Sequence, residues 1–424
     1  TVKNCILKEL SNRMSSVIEW INVVAICMLA VTLIFPSQYQ IPFFYIYAAT
    51  TALDFFYNKR WQGVQPLARY RLLFIPMILF YLCIWIWHPF EESNMPIFKY
   101  TAENRLPFLI FGLMGLFTFL NPRFKPQQLA LSMSLTGIIV TLWILFAGTD
   151  LAYNMPRDIE EYQKVFMTCR VANFGSHMTF NLFLNTALVL LIYSFLHASS
   201  RLWTALYSLL LILIYVILLT SEGRTGFVTA NVLMSLLICY KIWKFNKYMF
   251  APVVVICIVA GLFLINNQTR FKQLDVNTNA RRFIWKTALH VIGEKPLLGY
   301  GVSDGRKAYV DYSVTDEDFC QYYFRGFREE RPEEELYVHH PHNMLLNSTI
   351  EFGIVGFLLF LSLFIMPFFT LKGESRIYVV LICFTFGLQA MMESPGQHLP
   401  PMMYCWFVYL IILFYHPKKE IIKQ

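Results

Sequence analysis

The chain of 424 residues is poor in charge: Asp, Glu, Lys and Arg together make up 15% of it, against 57% apolar residues. Soluble domains are nearer a quarter charged, so a water-soluble fold is excluded, and so is a disordered chain, which needs low hydrophobicity. There is no CxxC pair and no Cys/His spacing suited to zinc. No basic stretch interleaves with aromatics, so the net charge of +8 does not point to nucleic acid; the charges lie between hydrophobic runs. No internal repeat is visible, which disfavours a transporter built from repeats. No small-x-small site follows the first apolar run, which ends at Phe35-Pro36-Ser37-Gln38. That run is therefore expected to be a membrane span rather than a cleaved signal. Of nine cysteines, Cys27, Cys83, Cys239, Cys257, Cys383 and Cys405 fall in apolar runs and are expected to be free thiols. Cys169 and Cys320 fall on the expected outer side, and their pairing stays open because spacing does not fix their distance.

What is present is a succession of apolar runs long enough for a bilayer: 17–35, 41–57, 72–88, 106–120, 128–147, 174–196, 202–220, 226–243, 249–265, 344–370, 377–392 and 400–416. The fold class expected is an all-α polytopic membrane protein with about 12 transmembrane helices. Pro76 and Pro367 lie inside runs, where they are expected to kink helices. One set of connecting segments carries 18 Lys and Arg and the opposite short segments carry 6, which puts both termini in the cytoplasm by the positive-inside rule. The expected division is a transmembrane bundle over 1–265, an outer loop over 266–343 and a closing membrane segment over 344–424. Within the loop, Phe283, Trp285, Leu289 and Ile292 recur at helical spacing, suggesting an amphipathic helix at the membrane surface. Every Lys and Arg except Lys241, next to the end of the run 226–243, falls outside the expected spans, Arg105 among them.

Three constellations carry possible chemistry. His339-His340-Pro341-His342-Asn343 stands where the long loop re-enters the membrane, followed by Glu351, Gly353 and Gly356. A histidine there can accept a proton near neutral pH; metal binding or simple capping of the next helix are the rival readings. Ser221-Glu222-Gly223-Arg224-Thr225-Gly226 is a short outer turn with one arginine, which could be a fixed cation for a phosphate group or could meet a lipid headgroup. Arg281-Arg282 open the amphipathic segment that runs on to Pro296-Leu297-Leu298-Gly299-Tyr300-Gly301, and two such arginines could grip a diphosphate or ordinary anionic lipid. Glu393 and His398, between the last two spans, could line the same cavity. Glu19 is expected at an interface, and Asp54 near a span end.

In order, spacing and side, these segments resemble the superfamily of O-antigen ligases and O-antigen polymerases, lipid-linked-glycan glycosyltransferases of the bacterial inner membrane. The likeness lies in Arg281-x-x-x-Trp285 with Pro296–Gly301 at the loop's start, His342-Asn343 with Glu351-x-Gly353-x-x-Gly356 at its end, and Arg224-Thr225-Gly226 at the short turn. Gly223 departs from the pattern, in which serine commonly precedes the arginine; here Ser221 stands three back. The resemblance implies a GT-C-like helical fold and a large periplasmic loop. It implies transfer of a glycan from a polyprenyl-diphosphate carrier to an acceptor hydroxyl, lipid A-core being favoured, with inversion and without metal or cofactor. Joining of lipid-linked repeat units, or transfer to protein, are the alternatives within it; a transporter or lipid-linked-sugar flippase is the rival of another class. Under it, His342 is the general base, Arg224, Arg281 and Arg282 hold the diphosphate, and His340, Asn343, Glu351, Glu393 and His398 support them.

Overall fold

The computed structural model describes residues 2–35, 37–60, 71–87, 95–117, 124–146, 177–221, 223–267, 274–316, 340–392 and 399–415. Among these there is no strand. The helices are α1 (Val2–Thr32), α2 (Ser37–Tyr57), α3 (Ile75–Ile86), α4 (Met95–Phe117), α5 (Pro126–Phe146), α6 (His177–Leu196), α7 (Arg201–Thr220), α8 (Arg224–Phe245), α9 (Phe250–Asn267), α10 (Leu274–Glu294), α11 (Val302–Thr315), α12 (Met344–Thr370), α13 (Gly373–Met392) and α14 (Leu399–Tyr415). A helix underlies each expected span. Eight of them (α1, α5, α6, α7, α8, α9, α12 and α13) are long and apolar enough to cross a bilayer by length and composition, and α3 is a shorter apolar helix. The protein is therefore a multi-pass helical membrane protein.

Polar residues inside the apolar helices satisfy themselves locally. Thr186, Ser194 and Thr229 donate to the carbonyls of Leu182, Leu190 and Thr225, one turn back. Without water, this is the cheapest partner a hydroxyl finds. Pro76 corrects an expectation: it lies in the first turn of α3, where its missing N–H is no loss, rather than at a kink. Pro367 does lie inside α12.

The bundle is built around α6, whose apolar window is 83% buried and which packs against α5, α7, α8, α13 and α14. One contact orients it. His197, just past the end of α6, meets Glu374 in the first turn of α13 at 2.9 Å, so the end of α6 lies with the start of α13. The start of α6 therefore lies with the end of α13. At that start, Asn181 packs on Gly226, at the beginning of α8. The end of α13, the start of α8 and the start of α6 thus share one end of the bundle, which α10 joins through Arg281 Nη1 and Met392 Sδ at 3.0 Å.

The helices α10 and α11 lie over the first turns of α12. Ile284, Ala288 and Val291 of α10 are buried with Tyr309 of α11 and Ile350 of α12, and Tyr309 Oη donates to the Ile284 carbonyl at 3.1 Å. The buried face of α10 is thus turned from the one expected: Leu289 is exposed, because the face takes its partners from α11 and α12 and not only from lipid.

The segment after α10 docks into a break in α12. Gly353 there adopts φ 62° and ψ −151°, a conformation open almost only to glycine. In an unbroken helix the Ile354 N–H would donate to the Ile350 carbonyl. Here it donates to the Pro296 carbonyl at 2.9 Å, and the Ile350 and Glu351 carbonyls accept from the N–H groups of Tyr300 (2.9 Å) and Gly301 (2.7 Å). Pro296–Gly301 replaces the hydrogen bonds that the break gives up. The approach is so close that a Cβ on Gly353 would lie 2.3 Å from the Leu297 carbonyl, and one on Gly299 would lie 2.6 Å from the backbone of Glu351. The two glycine motifs are one structural unit.

Gly353→Ala is accordingly expected to cost about 3 kcal/mol through positive-φ strain and the clash with Leu297. Gly261→Ala, whose Cβ meets nothing within 4 Å, is expected to be neutral or slightly stabilising. Thermal unfolding of the two variants in detergent checks this; equal melting temperatures would refute the pairing.

Candidate functional site

Arg224 is the first residue of α8, after Gly223 at φ 107°. The turn is anchored from α6. Ser221 Oγ donates to Asn181 Oδ1 at 2.8 Å, and Asn185 Nδ2 donates to the Gly226 carbonyl at 3.1 Å. Asn181 and Asn185 are buried and one turn apart, and a Cβ on Gly226 would strike Asn181 at 2.6 Å. Arg224 is therefore held at a fixed place at the mouth of the bundle. Ser221 serves as a buried structural anchor.

Arg281 and Arg282 sit on α10, at the same end. Arg281 lies partly buried against Met392, while Arg282 is exposed. His340 and His342 come together, their ring centroids 4.3 Å apart, and the His342 N–H donates to His340 Nδ1 at 3.3 Å. His342 takes φ 46°, the left-handed region that non-glycine residues seldom occupy and that concentrates at functional sites. Asn343 has a clear local role: it caps α12, its Oδ1 accepting from the N–H groups of Leu345 and Leu346 at 3.0 and 3.2 Å. The cap fixes where the helix begins, and with it the backbone of His342. Among the described residues no three His, Cys, Asp or Glu side chains gather as metal ligands. Glu393, His398, Cys169 and Cys320 lie outside the described residues.

Glu351 is turned to Arg105 and Asn347. It forms a bidentate ion pair with Arg105, with Nη1–Oε2 2.7 Å and Nη2–Oε1 2.9 Å, and Asn347 Nδ2 donates to Glu351 Oε1 at 2.8 Å. The pair is enclosed, at 0% and 4% side-chain exposure. The guanidinium also lies 5.7 Å from the ring centre of Phe80 and 6.0 Å from that of Phe352. Arg105, expected in a connecting segment, lies inside helix α4, which begins at Met95, ahead of the expected span at 106, and the bound carboxylate offsets the cost of burying it. Arg105, Asn347, Asn181 and Asn185 are functional-site supports that the sequence reading did not single out. Asn181-x-x-x-Asn185 was visible as two amides one turn apart in an apolar run.

Beside the buried ion pair, Tyr300 donates to Glu294. Burial first, and then the Glu294 carboxylate, push its phenol up to about 12. Tyr300 therefore stays protonated and donating at physiological pH.

Comparison with known proteins agrees with this part of the chain. Residues 186–361 match the family model described as O-antigen ligase, a stretch that holds Arg224, Arg281, Arg282, His340, His342, Asn343 and Glu351. A protein of Rickettsia conorii (strain ATCC VR-613 / Malish 7) named as a candidate polysaccharide ligase is 29% identical over 136 residues, 30% of this chain and 30% of that protein. Its namesake in Rickettsia typhi (strain ATCC VR-144 / Wilmington) is 28% identical over 138 residues, 30% of this chain and 31% of that protein. The chain thus aligns with less than a third of the length of these curated relatives.

Removal of one partner of the Arg105–Glu351 pair leaves an uncompensated buried charge. Arg105→Met or Glu351→Leu alone is expected to cost about 3–5 kcal/mol, and the double substitution clearly less than the sum. A double-mutant cycle on thermal or denaturant unfolding reads this, and strict additivity would show that the pair is not coupled.

Proposed function

We propose that this chain, whose residues 186–361 match the O-antigen ligase family model, is a metal-independent, inverting glycosyltransferase of about 12 membrane spans. It takes a glycan from a polyprenyl-diphosphate carrier and passes it to an acceptor hydroxyl, lipid A-core being the acceptor favoured. It works at the periplasmic face of a bacterial inner membrane, with both termini cytoplasmic and the loop 266–343 over the site. The observation that supports the reading is that Arg224 at the start of α8, Arg281 on α10 and His342, just ahead of α12, lie toward the same end of the helical bundle.

The chemistry follows from those groups. The bond from the sugar's anomeric carbon to the phosphate oxygen breaks, and its electron pair stays on the diphosphate. Negative charge grows there in the transition state, and Arg224 with Arg281 and Arg282 stabilises it. His342 takes the proton of the acceptor hydroxyl as its oxygen attacks from the opposite face, which inverts the anomeric carbon. His340, in ring contact with His342, orients it. Glu351, engaged by Arg105, acts on His342 through the frame of α12 rather than by contact. Glu393 and His398 are proposed to line the acceptor side.

Arg224→Ala is expected to lower kcat about a hundredfold to a thousandfold, the loss typical of one transition-state hydrogen-bond donor. His342→Ala is expected to lower it by about a hundredfold or more. The measurement is single-turnover transfer from a lipid-linked oligosaccharide by purified variants that keep the wild-type melting temperature. Full activity in His342→Ala would refute the base assignment.

A further inference from the structure

Helix α9 stands apart from the bundle. None of its apolar window is buried, and its packing is on α8 and the 3-10 turn Lys247–Met249. Between α8 and α9 lies a cavity of about 810 Å³, which reaches Tyr240 and Trp243 on α8 and Phe250 and Val254 on α9. That is the end of the hairpin away from Arg224. Three exposed lysines stand there, Lys241, Lys244 and Lys247. Each ammonium lies over an aromatic ring: Lys241 on Phe195 at 4.6 Å, Lys244 on Tyr240 at 5.4 Å and Lys247 on Trp243 at 5.8 Å. Tyr240 and Trp243 are walls of the cavity, so two of the cations are held at its rim. No carboxylate answers them. From Arg224 to Asn267 the hairpin contains no Asp or Glu, and none of the three lysines makes an ion pair among the described residues. His197, at the same end of the bundle, does have a carboxylate, that of Glu374. The rings of Trp243 and Phe250 meet edge to face at 5.0 Å and close the cavity toward the lysines. A headgroup therefore rests outside that ring pair, and chains enter from the side that α9 leaves open to lipid. Phe245 and Tyr248 flank the lysines at 88% and 92% exposure, as aromatic residues do at the level of the headgroups.

We propose that the α8–α9 hairpin binds an anionic phospholipid of the leaflet at that end, with its phosphate between Lys244 and Lys247 and its acyl chains in the cavity. Unpaired cations on the rim of an apolar cavity select for charge and for hydrocarbon together. A soluble phosphate brings no chain, and a zwitterionic lipid brings its own cation. The bound lipid fills the space that sets α9 apart and ties α9 to the helix that carries Arg224. Binding of this kind needs no part of the transferase reading.

The test uses the full-length protein in nanodiscs of phosphatidylethanolamine with phosphatidylglycerol as the minority lipid. A photoreactive amino acid replaces Val254, which lines the cavity on α9, and its adducts are identified by mass spectrometry. Phosphatidylglycerol should be enriched among the adducts well above its share of the bilayer. Lys244→Gln and Lys247→Gln should each lower that enrichment roughly fivefold, the worth of one lysine near an anionic surface. Lys372→Gln, which removes an exposed lysine from the turn between α12 and α13 at the same end, should leave it unchanged. Adducts in proportion to the bulk lipid overturn the site. So does an equal loss in Lys372→Gln, which would make the enrichment a property of the whole basic face. Adducts to a second copy of the chain in place of lipid overturn it as well.

Discussion

A guanidinium and a carboxylate held out of water, Arg105 and Glu351, organise the functional end of this molecule. Each would be prohibitively costly alone in an apolar bundle. Together, with both terminal guanidinium nitrogens used and Asn347 donating to Glu351 Oε1 as well, they tie α4 to α12 across 246 residues of sequence. Immediately below the pair, α12 breaks at Gly353, and Pro296–Gly301 fills the break. Immediately above it, Asn343 caps the helix and sets the backbone of His342. The ion pair, the break and the cap make a rigid frame at whose edge His342 is held beside His340. Pre-organisation of this kind is what a transferase needs, since groups already in place cost nothing to reorganise at the moment of reaction.

The membrane helices were legible because hydrocarbon imposes one requirement, an internally bonded apolar segment, and each such run became a helix. The candidate residues were legible as types: Arg224, Arg281 and His342 stand at one end of the bundle, as the alternation of spans implied. What escaped the sequence was what depends on distant partners. Lys99, Glu103 and Arg105 within seven residues read as a connection, since nothing nearby shows that Glu351 neutralises Arg105. The pairing of the Gly299-Tyr300-Gly301 and Glu351-Phe352-Gly353 motifs is a backbone contact between segments some fifty residues apart, invisible to any local period. The phase of α10 was misjudged around Leu289 because Phe283, Trp285 and Ile292 fit more than one face, and the choice was made by α11 and α12.

The polar design is asymmetric along the bundle. At the end opposite the site His197 meets the half-exposed Glu374, and elsewhere Arg60 pairs with the buried Glu19 and Asp54. At the site end, the turn that carries Arg224 is set by the Asn181–Ser221 and Asn185–Gly226 bonds, and Arg281 lies on Met392. Beside that end opens the cavity between α8 and α9.

The most direct measurement follows the covalent state of a polyprenyl-diphosphate-linked oligosaccharide incubated with purified protein in nanodiscs, with and without lipid A-core, by mass spectrometry. The account predicts glycan on the acceptor and free polyprenyl diphosphate in equal amount. A donor that stays covalently intact while it crosses the bilayer would contradict it.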